Sequence, residues 1–497
     1  MGIAVAVDIR HGRWADSAKL LAAARAAEQV VGVDQAACFM ATGANVQDAK
    51  GRGLWVDELA DAGPDDLVIA AEGASAAEGV AAAAAVLDTR PGQSGDATTS
   101  TPSPKSFAHA HADVALISVP GEYAALDAHA ALSAGMDVML FSDGVTLADE
   151  IALKSRAHHL GRIVMGPGCG TAIIDGVGLA FANVVRRGSV GVVAAAGTGA
   201  QEATVLLDRF GAGVSTCYGT GGRDLYADVG AVTMLDCVER LRVDPATAVI
   251  LCVSKPPSPE VAARVVDALA MSGKPAAACF VGLDTDDDPR GVRICATLDE
   301  AARAAAELAG ASAPTDVEPA ADTQVPGVVR GLFSGGTLCS EAAAILAARL
   351  GTVVTNAPAG GAIKLTEAPA PDVHACLDLG EEEYTRGRPH PMIDPLARAE
   401  MLAVVGAQPG VGVVLLDVVL GHGSHPDPAG ALAPVLGELR EQRPQLQVVA
   451  YVCGTESDPQ VASRQEATLR SLGVRLAPSN AAAARLAAAL IAPGCAQ

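Results

Sequence analysis

From about residue 112 to the end of the chain, short apolar runs break at a turn and are followed by amphipathic stretches, over and over. Strand, turn and helix repeated in that order leave little choice of fold. Parallel strands need a crossover, and a helix is the crossover that packs back onto the sheet. Val114–Val119, Tyr123–Ala134, Asp137–Phe141, Leu147–Leu160 and Arg162–Met165 read β-α-β-α-β. A second unit opens on the strand Ser189–Ala195, the turn Gly197-Thr198-Gly199 and the helix Gln201–Phe210. It continues through Val214–Tyr218, Asp228–Arg240, Ala248–Val253, Pro259–Leu269 and Ala276–Val281. A third runs from Val328–Phe333 and Ser340–Leu350 through alternating elements to the helix Asp458–Leu472, and the shared opening suggests a structural repeat.

The first 90 residues differ. Strands Ile3–Arg10, Gly32–Met40 and Asp65–Ala71 with a helix over Trp14–Val30 read as a small α+β module of the ferredoxin-like kind. The expected division is 1–90 for this module, 91–111 for a linker rich in Gly, Ser, Thr and Pro, and 112–186 for a first, partial Rossmann-like domain. Residues 187–310 and 327–497 are then two flavodoxin-like α/β domains, separated by a linker over 311–326.

Charge narrows the function. Lys+Arg 35 against Asp+Glu 57 gives a net charge of −22 in 497 residues. Such a chain lacks the cationic field that binds nucleic acid, and it is repelled by anionic membranes. The Ala-rich run through Leu87 falls short of the ~20 apolar residues that span a bilayer. The N-terminus alternates and then turns charged at Asp8, as a strand does and a signal peptide does not. Eleven cysteines without a CxxC argue against a zinc site and for reduced thiols, hence a cytoplasmic protein that needs no metal. An anionic substrate must then be met by backbone amides and a few cations.

Four segments offer them. Gly197-Thr198-Gly199, between strand and helix, can aim amides at an anion, with Glu202 one turn on. Gly219-Thr220-Gly221-Gly222-Arg223-Asp224 ends another strand, at the edge where open α/β sheets bind ligands. Gly335-Gly336-Thr337, with Ser340 and Glu341, repeats the first pattern. The loop from Asp378 to Pro395 carries Arg386, Arg388 and His390. His422, His425 and Lys255 occupy similar strand-end positions, and no third metal ligand accompanies the two histidines. Each glycine segment also reads as a plain tight turn, and the charged loop as a solvated one.

With Val119-Pro120, Gly144-Val145 and Gly166-Pro167-Gly168-Cys169, residues 112–174 resemble part of the CoA-binding domain of succinyl-CoA synthetase α subunits. Val190–Gly222 resembles that family's ligase domain, 327–497 a second ligase domain of β-subunit type, and the whole chain the FdrA family. The resemblance implies one subunit of a carbamoyltransferase that converts oxalurate, or a similar ureido acid, and phosphate to oxamate and carbamoyl phosphate in allantoin breakdown. Its partners would be the other subunits of that complex. Gly197, Thr198, Gly199, Gly335, Gly336 and Thr337 would hold phosphate. Gly221, Gly222, Arg223, Arg386 and Arg388 would bind the substrate's carboxylate, while Glu202 and His390 would be catalytic. The chain departs from the synthetases in having no histidine between His159 and His374, where their phosphate relay stands, and in carrying Asp284-Thr285-Asp286-Asp287-Asp288 near that place. No cofactor is therefore expected, and coenzyme A enters only under the alternative of an acyl-CoA synthetase-like subunit. A non-catalytic scaffold is the third reading.

Overall fold

The computed structural model describes residues 5–13, 15, 17–88, 107, 112–283, 289–313, 321–385 and 388–492. By contact it divides into two units, Met1–Thr101 with Glu382–Pro389, and Pro102–Glu381 with His390–Gln497.

In the smaller unit, β1 (Val5–Arg10), α1 (Ser17–Glu28), β2 (Val33–Met40), α2 (Gly43–Gly51), β3 (Leu67–Gly73) and α3 (Ala76–Asp88) follow in sequence. The sheet is antiparallel in the order β1-β3-β2, with Ile69 and Val68 of the central, largely buried β3 paired to both neighbours. Helices α1 and α3 bury alanine and leucine against it, Ala23, Ala27, Ala83 and Leu87 among them. This β-α-β-α-β-α order is the small α+β module expected, of the ferredoxin-like kind.

The larger unit begins with β4 (Val114–Ile117), α4 (Gly121–Ser133), β5 (Asp137–Leu140), α5 (Leu147–His159) and β6 (Val164–Met165), whose strands form a parallel three-stranded sheet. Then come β7 (Thr171–Ile174), β8 (Val177–Ala180), β9 (Arg187–Ala195), α6 (Gly197–Arg209), β10 (Val214–Gly219) and α7 (Val232–Val243). Strands β11 (Val249–Ser254), β12 (Ala276–Phe280) and β13 (Val292–Cys295), with helices α8 (Pro259–Met271) and α9 (Leu298–Leu308), complete a seven-stranded sheet, β13-β12-β11-β9-β10-β7-β8. The hairpin β7–β8 pairs antiparallel with β10. These strands precede residue 187 yet belong to this sheet, so the expected boundary there is corrected: Cys217 pairs with Ile173 across it.

The last stretch holds β14 (Val328–Phe333), α10 (Gly336–Leu350), β15 (Val353–Thr355), β16 (Ile363–Lys364) and β17 (His374–Asp378); α11 (Glu382–Thr385), next in the chain, counts with the smaller unit. The stretch ends with α12 (Leu396–Gly406), β18 (Val411–Val419), α13 (Pro428–Gln442), β19 (Gln447–Cys453), α14 (Ala462–Ser471), β20 (Arg475–Ala477) and α15 (Asn480–Ala489). Its sheet is wholly parallel, β16-β15-β17-β14-β18-β19-β20.

Numbered within themselves, the strands β9–β13 and β14, β17–β20 share one order, 2-1-3-4-5, the flavodoxin-like order. The repeat is therefore topological. One apolar core, from Val192 and Leu251 to Leu415 and Tyr451, fills the space between the two sheets, where α6, α9, α10 and α15 pack together. Alanine at Ala203, Ala305, Ala342 and Ala483 lets these helices approach closely. Among the described residues, no helix is long and apolar enough to cross a membrane, and the ten described cysteines are free thiols.

Candidate functional site

In a 2-1-3-4-5 sheet the crevice for ligands lies outside the carboxyl end of the first strand. Here that place is occupied twice, by the turns after β9 and β14, and the two turns pack on each other. A methyl on Gly335 would fall 2.7 Å from Thr198, and one on Gly199 would fall 2.9 Å from Thr337. Only glycine permits that approach. The Thr337 amide donates to Thr198 Oγ1 at 3.4 Å.

The sixth residue of each helix is a glutamate, and the two exchange roles across the pseudo-symmetric pair. Glu202 of α6 accepts the Asn480 amide, 3.2 Å, at the start of α15 in the last sheet's unit. Glu341 of α10 accepts the Leu298 amide, 2.6 Å, at the start of α9, and the Asn480 side chain at 2.7 Å. Both carboxyls are buried, Glu202 wholly. Burial pushes Glu202 up to about 7, against the pull of the nearby Tyr451 hydroxyl and the Asn480 amide. It pushes Glu341 up to about 8, and the charge of Glu202 adds to the rise. Glu202, expected to be catalytic, is wholly buried and accepts the first amide of α15, and so it holds the turn in place.

A raised folded-state pKa means that these two groups stabilise the fold fully below their unfolded range, near 4.5, and that this contribution is lost as pH rises through 7 to 8. Glu202→Gln keeps an oxygen for Asn480 and places an amide toward Tyr451. The variant is expected to lose less melting temperature than the parent between about pH 5 and pH 8. A parallel decline of the two curves would contradict this account of Glu202.

Chemistry gathers instead beside the α10 turn. Asp417, fully buried on β18, accepts the Ser334 amide (2.9 Å), the Ser334 hydroxyl (3.0 Å) and the Gly335 amide (2.9 Å). Arg398 pairs with it at 2.9 Å. This fixes the bare face of Gly336, where a methyl would overlap Asp378 Oδ2 and lie 3.6 Å from Lys255 Nζ. Asp378, at the end of β17, accepts the Gly380 amide at 2.9 Å. Burial pushes its carboxyl up to about 7, helped by Glu381 and Asp417 and opposed by the Gly380 amide and the Lys255 charge. A methyl on Gly380 would lie 2.6 Å from His390 Nε2. His390 Nδ1 accepts the Met392 amide at 3.2 Å, which leaves the neutral ring's proton on Nε2. Its ring packs on Phe181 at 5.9 Å, tilted by 38°, and burial lowers its pKa against the charges of Asp417 and Asp143. Gly336, Gly380, Lys255 and His390 are all partly exposed.

The other expected residues lie elsewhere. Arg223 pairs with the buried Glu150 at 2.8 Å and donates to the Val145 carbonyl at 2.8 Å, so it ties α5 and the loop before it to β10. Expected at a substrate carboxylate, it is engaged here by these two protein partners. Gly221 has φ +87°, and a methyl there would meet the Pro167 carbonyl at 2.7 Å; Gly222 is exposed. Arg386 lies outside the described residues, as do Asp284–Asp288, and the exposed Arg388 falls within the smaller unit. A cavity of about 480 Å³ opens at the far end of α6, lined by Arg186, Asp208, Arg209, Glu456 and Glu466. Its cations are engaged, Arg186 with Asp208 and Arg209 with the Val452 and Gly454 carbonyls.

The chain is 37% identical to YahF of Escherichia coli (strain K12) over 513 aligned positions, 99% of each chain. It belongs to the YahF family. Models of three domain families also match: the heavy metal-associated domain of AllF over 3–103, the CoA binding domain over 185–282 and the CoA-ligase domain over 332–490. The CoA-binding match falls on the domain that sequence alone gives to the first ligase unit. The α subunit of succinate–CoA ligase from Aquifex aeolicus is 31% identical over 150 residues, 29% of this chain and 48% of that one. Among solved structures, a dinucleotide-forming acetyl-coenzyme A synthetase of Ca. Korarchaeum cryptofilum covers 76% of this chain and 82% of its own. The identity is 15% and the TM-score 0.33. The YahF-family chain is thus a CoA-ligase-type α/β protein with an AllF-like N-terminal domain.

Two of these family names imply a bound group. In the first 101 residues of this YahF-family chain the one cysteine is Cys38, half-buried, its thiol pushed up to about 12 by burial. His11 is bonded to Asp66 at 3.0 Å, and no cluster of three metal-ligating groups exists among the described residues. A heavy-metal ion does not fit there. Along the carboxyl edge of β4–β6, the loops 118–120, 141–146 and 166–170 hold no lysine or arginine. Arg223, which reaches Val145, is already paired. That edge offers coenzyme A phosphates no cation, the CoA-binding match lies beyond it at 185–282, and no step is routed through the coenzyme.

Proposed function

We propose that this chain is the anion-handling subunit of an FdrA-type carbamoyltransferase, acting in the cytoplasm with companion subunits on oxalurate and phosphate. The observation that carries the reading is the paired glycine turns: two helix N-termini abut, and Lys255, Asp378 and His390 converge beside one of them. Carbamoyl transfer to phosphate asks for two anions held side by side, donors for a developing oxyanion and a path for one proton. The turns at Gly197–Gly199 and Gly335–Thr337 supply amides through Gly197 and Gly336, since Asp417 takes the Gly335 amide and Thr198 the Thr337 amide. The absence of a histidine between His159 and His374 speaks against a phosphohistidine relay in the first ligase-type unit.

In this reading a phosphate oxygen attacks the carbamoyl carbon of oxalurate, and the bond from that carbon to the inner nitrogen breaks. Hydrogenphosphate loses a proton and the oxamate nitrogen gains one. That proton passes directly from the phosphate hydroxyl to the leaving nitrogen, while the neutral His390 ring, its proton on Nε2, donates a hydrogen bond to the developing oxyanion. Phe181 and the Met392 amide hold the ring in that orientation.

The test follows carbamoyl phosphate formed from oxalurate and phosphate, with the full chain alone and with its co-encoded proteins added. Formation in the mixture, cut about 100-fold or more by His390→Asn, is the expected result. The family's ligase kinship favours one competing outcome, ATP hydrolysis dependent on coenzyme A with no carbamoyl phosphate, and that outcome overturns the reading.

A further inference from the structure

We infer that Lys255 and Asp378 divide one small ligand between them at the N-terminal face of α10. The Lys255 ammonium and the Gly336 amide take its oxyanion, and the Asp378 carboxylate accepts an N–H on the adjoining carbonyl carbon. The ligand class is a carbamoyl ester of an oxyanion, with carbamoyl phosphate its simplest member. The inference rests on the transferase reading for its choice of ester, and its geometry stands apart from it.

An oxyanion site alone has no use for a carboxylate. Asp378 Oδ2 nonetheless borders the bare face of Gly336, the same face that Lys255 Nζ approaches, so opposite charges flank one glycine. The carboxylate is 4% exposed and firmly held. Its Oδ1 takes the Gly380 amide at 2.9 Å, and its backbone is locked to Asn356 by a reciprocal pair of bonds at 2.8 Å. Lys255 arrives from the other repeat, off the end of β11, and its position ahead of two prolines stiffens its approach. A helix N-terminus with an added cation favours phosphate or carboxylate. A buried carboxylate against the same glycine repels a second anion and rewards a donor, which an acetyl group lacks and a carbamoyl group has. Acetyl phosphate and carbamoyl phosphate differ by CH₃ against NH₂ and are otherwise matched in shape.

Calorimetric binding to the full chain, with freshly dissolved carbamoyl phosphate and acetyl phosphate in the cold, tests the division. The parent protein is expected to prefer carbamoyl phosphate by roughly tenfold or more, the worth of a hydrogen bond to a charged group. Asp378→Asn turns an amide toward the ligand and is expected to abolish the preference. Lys255→Gln is expected to weaken both esters alike, by roughly tenfold. Gly336→Ala, whose methyl would occupy the contested spot, is expected to block both. Equal affinity of the parent for the two esters, or binding of neither, overturns the inference. So does a preference that survives Asp378→Asn. If Asp378→Asn does not fold, the parent's ester preference and Lys255→Gln decide alone. Preference without turnover of oxalurate retires the transferase reading and leaves this subsite standing; turnover without preference does the reverse.

Discussion

Replacing Lys154 with methionine is expected to cost about 3–5 kcal/mol of the larger unit's stability, the usual result of stranding buried charge. The ammonium of Lys154 is fully enclosed, 2.7 Å from Asp224, 3.0 Å from Glu150 and 2.8 Å from the Thr220 carbonyl. It joins α5 to the loop after β10, and Asp224 in turn accepts the Thr233 and Met234 amides at the start of α7. Methionine fills much the same volume and offers none of these bonds. Neither tryptophan, Trp14 or Trp55, falls in the sequence of the larger unit, so emission is a poor probe of this change. Urea unfolding followed by far-ultraviolet circular dichroism reads it. A loss below about 1 kcal/mol would show the cluster to be no better than a surface pair. Adding Glu150→Met to Lys154→Met is expected to recover part of the loss, because fewer charges remain unpaired.

Asp417→Ala is expected to be as damaging and to act on the site directly. It strands the Arg398 guanidinium, which is 3% exposed, at about 3–5 kcal/mol. It also leaves the Ser334 and Gly335 amides without their acceptor, at about 1–3 kcal/mol, and the two costs share one network and do not simply add. The turn they hold sets the position of Gly336 against Asp378 and Lys255. Asp417→Asn keeps one oxygen and is expected to fall between the parent and Asp417→Ala in a urea series. Asp417→Ala that unfolds with the parent's midpoint would remove Asp417 from the frame of the site.

The sequence carries the frame and hides the junctions. Strands β9 and β14 were legible because an unbroken apolar run ends in glycine and a helix follows; those are local properties. The hairpin β7–β8 was not, since four-residue strands around Asp175-Gly176 carry no period long enough to read. Helix α15 escaped notice because it is mostly alanine, which shows no polar face even when nearly every residue is buried. Within the site, Gly335-Gly336-Thr337 and His390 announce themselves by type and position. Arg223 and Lys255 look alike in sequence, each a cation at a strand end. What separates them is Glu150, distant in the chain and brought to Arg223 alone by the fold. The convergence of Lys255 with Asp378 is likewise a fact of topology, written in no motif.

The exchange of glutamates has one more consequence. Each flavodoxin-like half lends a carboxyl group that finishes the last helix of its counterpart, so neither half is complete alone. Were the halves separate polypeptides, their union would weaken on dilution and would carry the entropy of bringing two bodies together. Held on a single chain, they face each other at a fixed effective concentration. The seam between them, with both glycine turns in it, is then indifferent to how much of the protein a cell makes.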